Sequence, residues 1–180
     1  MTQVSRGCGK TAEALELTKA QGVCDVRMRS ASGAIKIMTI QKSIRVERPP
    51  EISFRVFCEA IGEWWPKGPS FNGKLLTEMI IEGRVGGRFF ERYADGTEYE
   101  IGQVTAFQPP TLVGFTWRAP SWERTTQVQI RFTAEGSGTR VELEHSGWEQ
   151  AENLRETRKN YDRGWDFILG QYQARADSVP

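Results

Sequence analysis

The strongest constraint on this chain is a change of hydrophobic period near residue 147. Between Leu75 and Ser146 apolar residues recur at every second position in short runs, whereas between Glu149 and Ala174 they recur every three or four. The first pattern belongs to strands with one buried face, the second to a helix with one apolar stripe. Leu154, Tyr161, Trp165, Ile168, Leu169 and Tyr172 make that stripe, while Arg155, Glu156, Lys159, Asp162, Arg163 and Asp166 cover the rest. At 1.5 Å per residue, the 26 positions would run about 39 Å, enough to cross a whole sheet. Gly164 sits inside this helix at a cost of about 1 kcal/mol relative to alanine. We expect it to mark a close approach of helix backbone to sheet, a merely tolerated glycine being the alternative.

The strands can be placed one by one. Ile40, Lys42, Ile44 and Val46 alternate with Gln41, Ser43 and Arg45. Pro49-Pro50 stops that strand, and Glu51 onward reads as a helix ended by Gly62, with Ile52, Phe54, Val56, Phe57, Ala60 and Ile61 at helical spacing. The Pro66–Gly73 stretch must be a loop. Leu75, Thr77, Met79 and Ile81 then alternate with Leu76, Glu78, Ile80 and Glu82. Arg88–Tyr93 is joined to Glu98–Phe107 through Asp95-Gly96, a strong hairpin signal. After Pro109-Pro110 come Val113, Phe115 and Trp117 on one face, then Val128, Ile130 and Phe132, then Val141, Leu143 and His145 beyond Gly136-Ser137-Gly138. The sum is about seven strands, a short helix and one long one. Such segregation is α+β, with the helices burying their stripes on one face of an antiparallel sheet.

The amino-terminal part is different in kind. None of the 19 aromatic residues falls in residues 1–53, and residues 1–38 carry six basic against three acidic side chains. A glycine-containing segment with so little apolar area cannot offset its ordering entropy. We expect a mobile arm over 1–38, with one short helix at Thr11–Ala20, and a packed domain over 39–180. Gly9-Lys10-Thr11 looks like the end of a P-loop, but Val4 stands where the first glycine is required and no hydrophobic strand precedes it. Nucleotide hydrolysis is therefore rejected.

Charge and composition exclude further classes. A net charge of +1 provides no field for gripping phosphate backbones, and Arg118, Arg124 and Arg131 form no basic stripe, so nucleic acid is not an expected partner. No run of 18 apolar residues exists, so no membrane span is expected. Cys8, Cys24 and Cys58 are dispersed and odd in number, and the first twenty residues lack a signal-peptide core. Both point to the cytoplasm. With one histidine and scattered cysteines, neither a metal site nor a metal cofactor is expected.

A resemblance emerges from a series of short strings: Trp64-Trp65-Pro66, Gly86-Gly87-Arg88-Phe89, Asp95-Gly96, Gly102-x-Val104, Pro109-Pro110, Thr116-Trp117, Gly138-Thr139, His145-Ser146-Gly147 and Gly164-Trp165. In this order and spacing they resemble the bacterial proteins similar to the activator of heat-shock-protein-90 ATPase, within the SRPBCC or START-like superfamily. The resemblance covers about 39–174 and implies a helix-grip fold: a curved antiparallel sheet wrapped around the last helix, leaving an apolar cavity. Members bind hydrophobic molecules or act as cyclases and hydroxylase subunits, so the fold does not fix the activity. The eukaryotic activator also has a separate amino-terminal domain that contacts its chaperone. The 38-residue arm is too small to match it, so a chaperone partner is not expected; a homodimer stays open.

Candidate site residues come from the elements that converge in such a fold. Trp65, Phe71, Trp117, Trp148, Tyr161 and Trp165 offer large apolar area with polar tips, suited to a cavity for a hydrophobic small molecule, although core packing would also employ them. His145, sharing parity with Val141 and Leu143, points to the helix side. It reads as a core imidazole ordering the Ser146-Gly147-Trp148 turn, or alternatively as a general acid or base. Glu91 and Tyr93 share parity with Phe89, and periodicity does not say whether that set faces the cavity or solvent. Three functions follow: a cofactor-free hydrophobic-ligand module, which we prefer; a cyclase, dehydratase or hydrolase using His145, Glu91 or Tyr93 in the same cavity; and a protein-interaction module.

Overall fold

The computed structural model describes residues 38–68, 70–150 and 152–180. The arm expected over 1–38, its helix at Thr11–Ala20, Cys8 and Cys24 lie outside the described residues, Met38 excepted. The elements are β1 (Ile40–Val46), α1 (Pro50–Cys58), α2 (Ile61–Trp64), β2 (Leu76–Ile81), β3 (Arg88–Tyr93), β4 (Glu98–Gln108), β5 (Leu112–Trp117), β6 (Thr126–Glu135), β7 (Gly138–Ser146) and α3 (Glu152–Ser178). A 3₁₀ turn, Trp148–Gln150, leads into α3.

All seven strands form one antiparallel sheet in the order β1-β7-β6-β5-β4-β3-β2. Only β1 is out of sequence: α1, α2 and the loop beyond them carry the chain from one sheet edge to the other. The sheet curls into a half-barrel, and α3 lies within its grip, as the helix-grip fold requires. The α3 stripe faces inward: Leu154, Trp165, Ile168, Leu169 and Tyr172 are all buried. Hydrogen bonds tie the helix along its length to the β1 edge and α1. Arg158 donates to the carbonyls of Met38 and Thr39, Gln173 to that of Arg45, and Tyr172 to that of Ser53. Arg48 reaches the carbonyls of Asp177 and Val179 at the far end.

Three local expectations are corrected. The single helix ended by Gly62 is two, broken at Glu59-Ala60, with Gly62 inside α2. The break re-aims the paired indoles. Trp64 packs on Phe57 and Tyr172 and donates to the Val56 carbonyl at 2.9 Å, while Trp65, extended before Pro66, turns toward Trp117 and Trp165. In β2 the expected strict alternation is shifted at Leu76/Glu78, so that Leu76, Met79 and Ile81 are buried and Leu75 is exposed. A bulge does this by placing two residues opposite one. At Gly164, a methyl group would meet nothing within 4 Å, so the expected close approach to the sheet is absent.

Close approach occurs instead at Gly102 in β4. A Cβ there would lie 1.7 Å from the Thr116 carbonyl oxygen on β5. Since that neighbour is backbone, Gly102→Ala should force the strands apart and destabilise the fold by about 1–3 kcal/mol. Urea unfolding of the two proteins checks this; equal midpoints would contradict it.

Candidate ligand pocket

The site is organised around His145, whose β7 position places its ring between sheet and helix with no solvent exposure. Trp165 Nε1–H, on α3, donates to His145 Nδ1 at 2.9 Å. An indole N–H can only donate, so Nδ1 accepts and the imidazole proton sits on Nε2. That nitrogen is 2.7 Å from Thr126 Oγ1, whose own proton goes to the Trp117 carbonyl at 3.2 Å. Burial pushes the imidazole pKa down to about 3, so the ring is neutral at physiological pH. Both ring nitrogens are occupied, which leaves the imidazole nothing with which to abstract a proton. Its backbone carbonyl accepts from Trp148 Nε1–H at 2.8 Å, with the two rings 4.2 Å apart. Gly147, at φ +90°, makes the reversal that brings Trp148 under the histidine.

Aromatic rings fill the rest of the grip. Trp117 touches Trp65, Phe71, Tyr161 and Trp165, and Tyr161 also meets Trp122 and Trp148. Trp117 Nε1–H donates to the Tyr161 hydroxyl at 3.2 Å, and burial raises the pKa of that phenol. What remains open beside this packing is a pocket of about 180 Å³, lined by Trp65, Trp117, Asn160, Tyr161, Gly164, Trp165 and Ile168. Four of the seven residues expected to hold ligand therefore line it. Phe71 packs on Tyr99 and Trp117, while His145 and Trp148 stand within the aromatic packing as supports. Asn160, Gly164 and Ile168 were missed by the sequence reading. Their i, i+4, i+8 spacing is the available signal, but Ile168 reads as part of the apolar stripe, Gly164 as a packing glycine and Asn160 as a polar surface position.

A second buried polar cluster lies at β3. Phe89, Glu91 and Tyr93 all face inward, so Glu91 is not a solvated strand-face charge: it is 1% exposed. Its carboxylate accepts from Ser70 Oγ at 2.8 Å, from Tyr93 OH at 2.5 Å and from the Phe71 N–H at 3.2 Å. Burial, and then this carboxylate, raise the Tyr93 pKa. The cluster pins the loop that carries Phe71 and so closes one side of the aromatic packing. Neither Glu91 nor Tyr93 lines the pocket.

A larger recess, about 390 Å³, lies on the opposite face of β1, β6 and β7 between Gln41, Ser43, Arg131, Glu142 and Glu144. It is a trough among charged and polar side chains, and we take the smaller aromatic pocket as the candidate site because only the latter can desolvate an apolar ligand. Among the described residues no cluster of three His, Cys, Asp or Glu side chains could hold a metal ion.

This architecture is shared. The family model described as Activator of Hsp90 ATPase homolog 1-like protein matches residues 47–174. The chain belongs to that family. No curated protein matches the chain. Among solved structures it is similar to protein MLL2253 from Mesorhizobium loti, at TM-score 0.61 and 21% identity over 79% of this chain and 98% of that one. It is similar also to the dimeric Aha1 of Colwellia psychrerythraea, at TM-score 0.58 and 17% identity over 78% and 96%. A third, Txn09, an anthrahydroquino-gamma-pyrone synthase complexed with a molecule designated SUM, has TM-score 0.50 and 28% identity over 76% and 95%.

In this member of the Activator of Hsp90 ATPase homolog 1-like family, His145 gives a direct test of the site's electrostatics. Its folded pKa lies below the unfolded value of about 6.5, so as the medium acidifies the folded state binds fewer protons than the unfolded state. The stabilisation is complete above about pH 6.5 and is lost progressively as pH falls toward about 3. Between pH 6.5 and 5.0, where most carboxylates stay ionised, stability should drop by about 1.5 kcal/mol. Urea unfolding at the two pH values measures this. The single histidine's NMR ring signals should not titrate from pH 8 to 5, and a midpoint near 6.5 would refute the assignment.

Proposed function

We propose that the chain is a cofactor-free binding module for a small aromatic or hydrophobic molecule, held between Trp65, Trp117, Tyr161 and Trp165. The observation that carries this is the aromatic-lined opening beside Gly164, about 180 Å³ between the rings of the sheet and those of α3. An apolar cavity of about 150 Å³ accepts benzene, whereas drug-sized ligands need about 300–1,000 Å³. The pocket therefore suits a single ring, either as a whole ligand or as one end of a larger molecule extending past Asn160. The tryptophan and tyrosine faces offer stacking and edge contacts worth about 0.5–1.5 kcal/mol each beyond area burial.

Catalysis is the weaker reading, although one structural relative is a synthase. Of the residues lining the pocket only Tyr161 is titratable, and the three candidate acid–base groups, His145, Glu91 and Tyr93, are spent on one another and on the fold. A protein-interaction role finds little support: the large apolar residues that are exposed among those described, Leu75, Val85 and Phe167, sit on separate elements. No helix among the described residues is long and apolar enough to cross a membrane, and a cytoplasmic address belongs to the same proposal.

Gly164 provides the test. A side chain there has free space and would project where the ligand enters. Gly164→Leu should abolish binding of ethylbenzene, followed by tryptophan fluorescence, while raising helix stability by up to about 1 kcal/mol. Unchanged affinity in a folded variant would rule out this pocket.

A further inference from the structure

The hydrogen-bond inventory of the pocket wall is one-sided. Tyr161 accepts a hydrogen bond from Trp117 Nε1–H, and no acceptor among the described residues takes its own O–H proton. Trp65, in the same wall, has an indole N–H that is buried and has no hydrogen-bond partner among the described residues. A phenol whose oxygen is already engaged by a donor retains its proton to give, and an indole can do nothing but give. Burial raises the phenol's pKa, which keeps that proton in place at physiological pH. Asn160, which offers both donors and an acceptor, is exposed to solvent at the rim of the pocket.

Resting on the pocket reading above, we propose that this site selects an aromatic ring bearing a carbonyl group, with Tyr161 O–H as the donor to the carbonyl oxygen. A carbonyl is the complement of such a wall because it accepts without donating. A phenol or an amine would bring an N–H or O–H of its own into a space whose enclosed part supplies no acceptor, and an unpaired buried donor is penalised. A plain hydrocarbon would fill the space but leave the Tyr161 proton unused. Trp65 N–H, buried behind the surface of the wall, supplies no acceptor either. The ring contacts of Tyr161 with Trp117, Trp122 and Trp148 fix the phenol, so the position of its oxygen is set before the ligand arrives.

Acetophenone and ethylbenzene separate the two questions, since both carry a two-carbon substituent on benzene and differ by C=O in place of CH₂. The full chain is titrated with each, with tryptophan fluorescence reporting affinity and the infrared stretch of ¹³C-carbonyl acetophenone reporting the bond. The bound stretch should lie at lower frequency than in hydrocarbon solvent. Tyr161→Phe should weaken acetophenone about tenfold and ethylbenzene less than about threefold. That variant also strips Trp117 of its acceptor, so a thermal melt accompanies it, and the infrared reading on the unsubstituted protein stands even if the variant does not fold. A bound carbonyl stretch at its hydrocarbon position, or a lowered stretch that persists in folded Tyr161→Phe, overturns the assignment while leaving the pocket intact. Failure of both ligands to bind removes the pocket reading and this inference together.

Discussion

The bond from Trp165 Nε1–H to His145 Nδ1 fixes where the long helix sits on the sheet, and most of the site follows from it. An indole can only donate, so the direction of every later bond is decided: His145 Nε2 to Thr126, Thr126 to the Trp117 carbonyl. The relay runs from α3 through β7 and β6 to β5, all of it shielded from water. Each link is modest, about 1 kcal/mol net, yet breaking one leaves a buried donor or acceptor unpaired, which is the larger penalty. Rotating α3 by one residue would replace Trp165 with Asp166, now exposed and bound to Lys42, and would bury that charge. Helix register is thus held by an attractive bond on one side and a prohibitive one on the other.

With the helix set, the grip closes by filling its interior with rings. Trp65, Phe89, Phe115, Trp117 and Trp165 contact one another at centroid separations of 4.8–6.5 Å, many edge-to-face, as ring quadrupoles prefer. Flat rings fill space less flexibly than branched aliphatics. The residual opening is consequently narrow and walled by faces and edges, which suits a planar guest. Glu91 has a supporting part in this arrangement. By gathering the Ser70 hydroxyl, the Phe71 amide and the Tyr93 phenol, one buried carboxylate holds an irregular loop against Trp117 without a cation.

Period-two and period-3.6 patterns made the sheet and α3 legible, because a one-faced element repeats its burial over many residues. Val128, Ile130 and Phe132, or Trp165, Leu169 and Tyr172, leave little choice of face. What escaped were single-residue events. The Glu59-Ala60 break and the Leu76/Glu78 bulge depend on where two tryptophans and a sheet edge find room, which no local period encodes. Glu91 carries the same parity as Phe89 and Tyr93, yet a carboxylate is ordinarily solvated. Its burial is offset by the Tyr93 phenol beside it and by loop donors arriving from residues 70 and 71, and the loop contacts span about twenty positions. Trp65, Trp117, Tyr161 and Trp165 could be nominated as liners because converging elements carried them; which aromatics stand at the surface of the cavity and which behind it is a matter of tertiary packing.

Gly164 illustrates how packing and function can be told apart at one position. A glycine in a helix interior costs about 1 kcal/mol relative to alanine, and close contact is the usual reason to accept it. Here that reason is missing, since a side chain would meet nothing. Glycine alone is no signature, for Gly170 on the same helix is equally free of neighbours and faces solvent. The difference is location. Gly164 lies between Asn160 and Ile168 along the pocket rim and next to Trp165, so a side chain there would fall across the opening that the aromatic walls leave. Within the ligand-binding reading, the missing side chain is the feature that keeps a nearly filled grip accessible from outside.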